Sequence, residues 1–247
     1  MSKPIASQPG LPGRIGKMPV LGVAVIALAA MLYLAPPATA EKAKAIPAPN
    51  QQVLDAVSAN TQASDTIVFA GGCFWGIQAV FQHTKGVLNA VSGYAGGKAS
   101  TADYETVSSG SSGHAEAVQV RFDPGQVSYA QLLQIYFSVA HDPTQLNRQY
   151  PDVGTQYRSA IFYRNDSQKL AAQRYIAQLD SSKAYEHKIA TSVDALDRFY
   201  PAERYHQNYA TLHPDSTYIA RFDLPKIGNL KTMFPALYRD EPVLVAQ

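Results

Sequence analysis

Thr66-Ile67-Val68-Phe69-Ala70-Gly71-Gly72-Cys73-Phe74-Trp75-Gly76-Ile77-Gln78-Ala79-Val80-Phe81-Gln82 decides the fold. Its first five residues, β-branched, aromatic or small, read as a strand. Ile77, Val80 and Phe81 then recur at helical spacing, so the stretch becomes a helix with one apolar face. Gly71 and Gly72 make the turn between them and let another molecule approach the backbone closely. Cys73 stands where the helix starts. It is the only cysteine, and Trp75 the only tryptophan, among 247 residues. Backbone N–H groups at a helix start are unpaired and partly positive. A thiol placed there loses its proton more easily, and the thiolate is the nucleophile. The competing reading makes Cys73 a small buried hydrophobe. Phe74 and Trp75, two large aromatics at the mouth of a tight turn, either line a pocket or plug a core.

Outward from this stretch the pattern keeps alternating. Val87–Ser92 reads as a strand and Tyr104–Val107 as a short one, followed by a flexible polar loop over 108–113. Gly113-His114-Ala115-Glu116-Ala117-Val118-Gln119-Val120-Arg121-Phe122 reads as a further strand. Ser128 caps a helix through Ala140, with Leu132, Ile135, Tyr136 and Val139 on its core face. Thr144–Gln156 is a long polar loop of the kind that often carries function. Tyr157–Tyr163 reads as a strand, Asp166 or Ser167 caps a helix to Asp180, and Ile189–Val193 is a strand. Pro201–Tyr209 is a short helix or irregular turn. The Tyr- and Pro-rich remainder is expected to wrap the domain. Helices alternating with short strands on one modest sheet give an α/β (α+β) class with a single two-layer domain over 65–235. Residues 41–64 read as linker with one short helix near Gln51–Val57, and 236–247 as tail.

Glu116 breaks the pattern of its strand. Alternation sets Gln119 and Arg121 on one face and Glu116, Val118, Val120 and Phe122 on the other. A carboxylate in line with three apolar residues is rarely buried without a partner. Desolvation raises its pKa, which is how a protein makes a general acid of glutamate. A glutamate at the strand mouth, paired to a surface base or helix start, fits the periodicity equally well.

Residues 1–17 carry Lys3, Arg14 and Lys17 and no acid, and an apolar run follows from Val20 to Ala35. Ala38-Thr39-Ala40 then fits a cleavage site, so 1–40 reads as a signal peptide for export to the periplasm. An uncleaved leader anchoring the protein to the membrane is the alternative. The leader holds three of the 21 basic residues and no acid, which leaves 18 basic against 19 acidic residues and no sign of a nucleic-acid surface. The six histidines are scattered without metal-ligand spacing, and there is no phosphate loop or dinucleotide fingerprint. Spacing alone leaves cysteine–histidine–asparagine chemistry open. A single thiol in an exported protein cannot pair internally, so a catalytic Cys73 needs regeneration from outside the chain.

Four stretches, in this order, resemble the A-class peptide methionine sulfoxide reductases, which reduce the S-epimer. They are Gly71–Gly76, Gly113–Val118, Asp152–Ser159 and Ala202–Tyr209. The resemblance implies a mixed sheet with flanking helices, ferredoxin-like, with a long C-terminal coil. By residue, it implies that Cys73 attacks the sulfoxide sulfur and Glu116 protonates the oxygen. Tyr104 and Tyr157 would hydrogen-bond that oxygen, Phe74 and Trp75 would hold the substrate's methyl group, and Asp152 would line the site. It implies no metal and no bound cofactor, and a monomer. Thiol attack leaves a sulfenic acid on Cys73. Many relatives resolve it with a C-terminal cysteine, which this chain lacks. It looks like the one-cysteine kind, reduced by a thioredoxin-like protein or another external thiol. Gln78 stands where the family usually has glutamate, a position that reads as helix surface or structural. Two other classes remain. A thiol peroxidase would need no methyl pocket, and a periplasmic peptide-binding module would need no Cys73 chemistry.

Overall fold

The computed structural model describes residues 42–57 and 63–246. The leader and its cleavage site lie outside them. Strand β1 (Asp65–Ala70) leads into helix α2 (Phe74–Gln82), and α1 (Gln51–Ala56) precedes both. Strand β2 (Val87–Ala95), helix α3 (Tyr104–Ser108), strand β3 (Ala115–Phe122) and helix α4 (Tyr129–Ile135) follow, with α4 running on as a wider turn over Tyr136–Ala140. Next come a small hairpin, β4 (Arg148–Gln149) and β5 (Asp152–Val153), then β6 (Ala160–Tyr163), α5 (Asp166–Ser181), β7 (Ser192–Ala195) and β8 (Phe199–Pro201). Helices α6 (Tyr209–Leu212) and α7 (Leu224–Met233) close the described chain.

The main sheet has the order β7-β6-β1-β3-β2-β8. Its four central strands are antiparallel neighbours, with Phe69 opposite Val118 on one side and Ile161 on the other. With α2 between β1 and β2, and α4 between β3 and β6, this is the split βαβ arrangement of a ferredoxin-like fold. The β6–β7 pair is parallel, so the whole sheet is mixed. Alternation held in β3: Glu116, Val118, Val120 and Phe122 are all buried, while Arg121 is exposed. Ile77, Val80 and Phe81 of α2 are buried in the same core as Phe69.

Several expectations need correction. Tyr104–Ser108 is helix, not strand, because the Asp103 side chain caps it by accepting the Thr106 N–H at 3.0 Å. The next strand after α5 begins at Ser192 rather than Ile189, and Asn165 rather than Asp166 or Ser167 caps α5. Residues 42–57 are not a free linker. Val53 is fully buried, Tyr175 Oη donates to Pro47 O at 2.7 Å, and Lys44 N donates to Ser138 O at 2.9 Å. The C-terminal region is not all coil either. The helical stretch from Ile219 to Met233 buries Ile219, Asp223 and Leu230 completely, and Leu230 joins the main core. Beyond it, Val243 N donates to Gln82 O at 3.0 Å, so the tail is tied back to α2. Among the described residues, no helix is long and apolar enough to cross a membrane.

Candidate active site

The β1–α2 turn sets the site. Gly72 has φ +91°, and a Cβ there would lie 2.5 Å from Gln149 Cγ, so only glycine fits beneath the β4–β5 hairpin. The turn delivers Cys73 to the N-cap of α2. Phe74 N–H, the first of the helix, donates to Glu116 Oε2 at 3.0 Å. One strand-to-helix turn and one out-of-pattern carboxyl thus meet across 42 residues of sequence.

Cys73, Phe74, Trp75, Tyr104, Glu116, Asp152 and Tyr157 line a single cavity of about 200 Å³, together with Tyr218. All seven side chains singled out in the sequence are therefore brought together, and one more was missed. Tyr218 lies in the tail read as a wrap. Its hydroxyl donates to Asp152 Oδ2, and its ring meets Trp75 edge-on at 6.1 Å. The only signal for it was the tyrosine content of that tail, which does not single out one position.

The fourth sequence stretch lies behind the cavity. Glu203 Oε2 accepts from Tyr94 Oη at 2.7 Å and Oε1 accepts the Tyr104 N–H at 2.9 Å, which fixes where α3 and its tyrosine begin. His206, 2% exposed, packs its ring 4.4 Å from Tyr104 and 5.1 Å from Phe74. Gln207 bonds both Ser92 N and Ser92 O, and its Oε1 also accepts from Gln78 Nε2 at 2.9 Å. Gln78 Oε1 in turn accepts the Asn208 N–H at 2.9 Å. Gln78 is buried and structural, not surface. A neutral amide satisfies both donor and acceptor there.

Electrostatics separate the thiol from the acid. Burial pushes the Glu116 carboxyl up to about 8, against the opposing pull of the Phe74 N–H, with the Asp152 and Asp223 carboxyls adding to the rise. It holds its proton at neutral pH. Cys73 behaves differently from the sequence expectation. Burial comes first, then the Glu116 and Asp223 charges, and together they raise the thiol well above its ordinary value. The Trp75 N–H at the helix start does lower it, as expected, but is outweighed. Burial likewise raises the Tyr104 and Tyr157 hydroxyls, so both remain hydrogen-bond donors. Burial also raises Asp152, opposed by the Tyr218 hydroxyl and Lys226. The result is a small pocket with two aromatic walls, a neutral acid, two phenol donors and a thiol at its floor.

Residues 65–234 match the family model described as peptide methionine sulfoxide reductase. The chain belongs to the peptide methionine sulfoxide reductase family. Among curated relatives, a peptide methionine sulfoxide reductase MsrA 2 of Mesorhizobium japonicum is 60% identical over 182 residues, covering 74% of this chain and 93% of the relative. One of Synechocystis sp. is 47% identical over 191 residues, covering 77% and 89%. Among solved structures, methionine sulfoxide reductase A of Corynebacterium diphtheriae superposes with a TM-score of 0.55 at 32% identity over 73% of this chain and 91% of that one. Reduced Mxr1 of Saccharomyces cerevisiae gives 0.58 at 30% identity over 64% and 90%. As a family member of the A class, the chain is an oxidoreductase that reduces methionine sulfoxide.

Proposed function

We propose that the chain reduces the S-epimer of methionine sulfoxide, free or within oxidised polypeptides, with Cys73 as nucleophile and Glu116 as general acid. One observation carries the reading. A carboxyl that keeps its proton at neutral pH lines the same cavity as the only cysteine and accepts the N–H of the next residue at 3.0 Å.

Phe74 and Trp75 receive the substrate's methyl group, and the sulfoxide oxygen points to Glu116, Tyr104 and Tyr157. Glu116 gives its proton to that oxygen, which makes the sulfur electrophilic. Cys73 Sγ then bonds to the sulfur, and the thiol proton passes to the vacated carboxylate. The raised thiol value fits this order, because the anion is needed only as the acid discharges. The sulfur–oxygen bond breaks with loss of the protonated oxygen as water. A water oxygen then attacks Cys73 Sγ, which breaks the new sulfur–sulfur bond, leaves its electron pair on the substrate sulfur and returns the proton to Glu116. Sulfoxide plus thiol become thioether plus sulfenic acid: the substrate gains two electrons and Cys73 loses two. An external dithiol completes the cycle. Its first sulfur displaces water from the sulfenic acid, and its second frees Cys73 from the mixed disulfide. A thioredoxin-like protein or another external thiol fills this role, since the chain has no second cysteine. The basic, apolar and small-residue order of residues 1–40 supports action in the periplasm, after cleavage or from a membrane anchor.

Mixing the protein with excess methionine S-sulfoxide, without reductant, tests this. The expected result is one methionine released per chain, with a sulfenic acid on Cys73 that reacts with dimedone. Multiple turnovers without a thiol, or one turnover with no label on Cys73, would overturn the mechanism.

A further inference from the structure

The three residues before Cys73 are each held by a buried side chain. Tyr136 Oη donates to Ala70 O at 2.7 Å. A Cβ built on Gly71 would lie 2.7 Å from His141 Cγ, so the imidazole lies directly against that residue. Gln149 closes over Gly72 in the same way, and it stands opposite Asp152 in the β4–β5 hairpin. The first two of these side chains belong to one polar cluster behind the turn. Burial pushes the His141 imidazole down to about 3, so it is neutral. Its Nδ1 lies 3.1 Å from Tyr136 O, a carbonyl that can only accept, so Nδ1 carries the proton. Nε2 therefore accepts from Ser159 Oγ at 2.7 Å. Ser159 Oγ also lies 2.9 Å from Tyr136 Oη and 2.7 Å from Thr191 Oγ1. All four side chains are buried. Tyr136 opens the wider turn that ends α4 and His141 follows it, and such turns are frequent at functional sites. Paired buried hydroxyls add little stability over apolar groups of the same shape, so stability alone does not account for the cluster.

With Cys73 taken as the reacting group, as above, we propose that Tyr136 and His141 are positioning residues, a buried clamp that fixes the Cys73 turn against the stretch carrying Tyr157. Ser159 joins the two sides. It ends the third of the four sequence stretches, follows Tyr157 by two residues, and no step of the reaction uses it. Its neighbour Ala160 pairs with Ala70 across β6 and β1, so the cluster sits at the place on the sheet that borders both the thiol and that phenol. None of the four side chains lines the cavity, so they act on the reaction through the backbone of residues 70–72. On the cavity side the same turn presents the Phe74 N–H to Glu116 Oε2 at 3.0 Å. A shift of the turn therefore moves the nucleophile and loosens its tie to the acid together. A misplacement of about 1 Å is enough to cost roughly 10²-fold in rate.

The test compares Tyr136→Phe and His141→Ala with wild type by steady-state kinetics and by amide hydrogen exchange. Tyr136→Phe deletes the hydroxyl that holds Ala70 O and keeps the ring in the core. Tyr129→Phe is the control, because it deletes a hydroxyl from the same core that has no hydrogen-bond partner among the described residues. In both clamp variants kcat should fall by roughly 10- to 100-fold with KM changed only a few-fold, while the control keeps wild-type values. Exchange of the Phe74 amide should rise by about tenfold or more, with the amides of central β3 unchanged, as a local opening requires. Should His141→Ala fail to fold, Tyr136→Phe decides. Unchanged kcat in Tyr136→Phe, or exchange that rises equally at Phe74 and in β3, overturns the clamp and leaves the cluster a purely structural one. Exchange needs no sulfoxide, so a wild type without turnover would overturn the reductase reading while the exchange comparison still decides the clamp.

Discussion

Replacing Glu116 by glutamine should make the protein much less active and, at neutral pH, more stable. Glutamine keeps an oxygen to accept the Phe74 N–H, now 3.0 Å from Glu116 Oε2, so the local geometry survives. It cannot donate a proton of comparable acidity, and removal of a positioned general acid costs roughly 10²- to 10⁴-fold in kcat/KM. The stability effect has a worked sign. The Glu116 carboxyl titrates at about 8 in the fold against an ordinary 4.5. Between those values the unfolded chain has lost the proton and the folded chain has kept it, so wild-type stability falls as pH rises through that window. At pH 7 the accumulated cost is about 3 kcal/mol, from roughly 1.4 kcal/mol per unit over the interval above 4.5. Glutamine removes that cost. Urea unfolding at pH 4, 7 and 8.5 should show no difference from this source at pH 4, a gain for the variant of about 3 kcal/mol at pH 7, and somewhat more at 8.5. Methionine release should fall with KM changed only a few-fold. A stability difference independent of pH, or equal losses in kcat and in binding, would refute the assignment of a buried, protonated acid.

Other outcomes follow from the same geometry. Wild-type kcat/KM should decline above pH 8 by about tenfold per unit as Glu116 loses its proton, a limb that steady-state profiles resolve and that Glu116→Gln should lack. Trp75→Ala removes one wall of the methyl pocket together with a stack on Tyr209 at 3.9 Å, and KM should rise roughly tenfold, the scale of a methyl group in an apolar pocket. Tyr218→Phe deletes the hydroxyl that bonds Asp152, so the Asp152 carboxyl should titrate higher and kcat/KM should fall by about tenfold, read as a change in the acid side of the pH profile. Gln207→Ala strands buried partners on Ser92 and Gln78, and denaturant unfolding should report a loss of roughly 1–3 kcal/mol or more.

What the sequence revealed, and what it hid, follows from how local each signal is. The strand, double-glycine turn and helix around Cys73 were legible because period-two and 3.6-residue patterns meet there with the turn residues between them. Glu116 was legible because a carboxylate sat on the apolar face of β3, and the fold then buried that face. Tyr104–Val107 was misread because four residues carry little periodicity and the Asp103 cap decided the outcome. Residues 42–57 were misread because backbone oxygens such as Pro47 O hold them to α5, and every sequence offers those. Tyr218 and Asp223 reach the site only through the path of the C-terminal chain. The Cys73 thiol was expected low because the helix start is a local feature, whereas the burial and the carboxyls that raise it are assembled from β3, β5 and the approach to α7.

The most direct test of the central claim is methionine release by purified residues 41–247 from each epimer of methionine sulfoxide, with a dithiol as reductant. The account predicts release from the S-epimer alone, and none when Cys73 is replaced by serine. Release that persists in Cys73→Ser, or no release from either epimer, would contradict it.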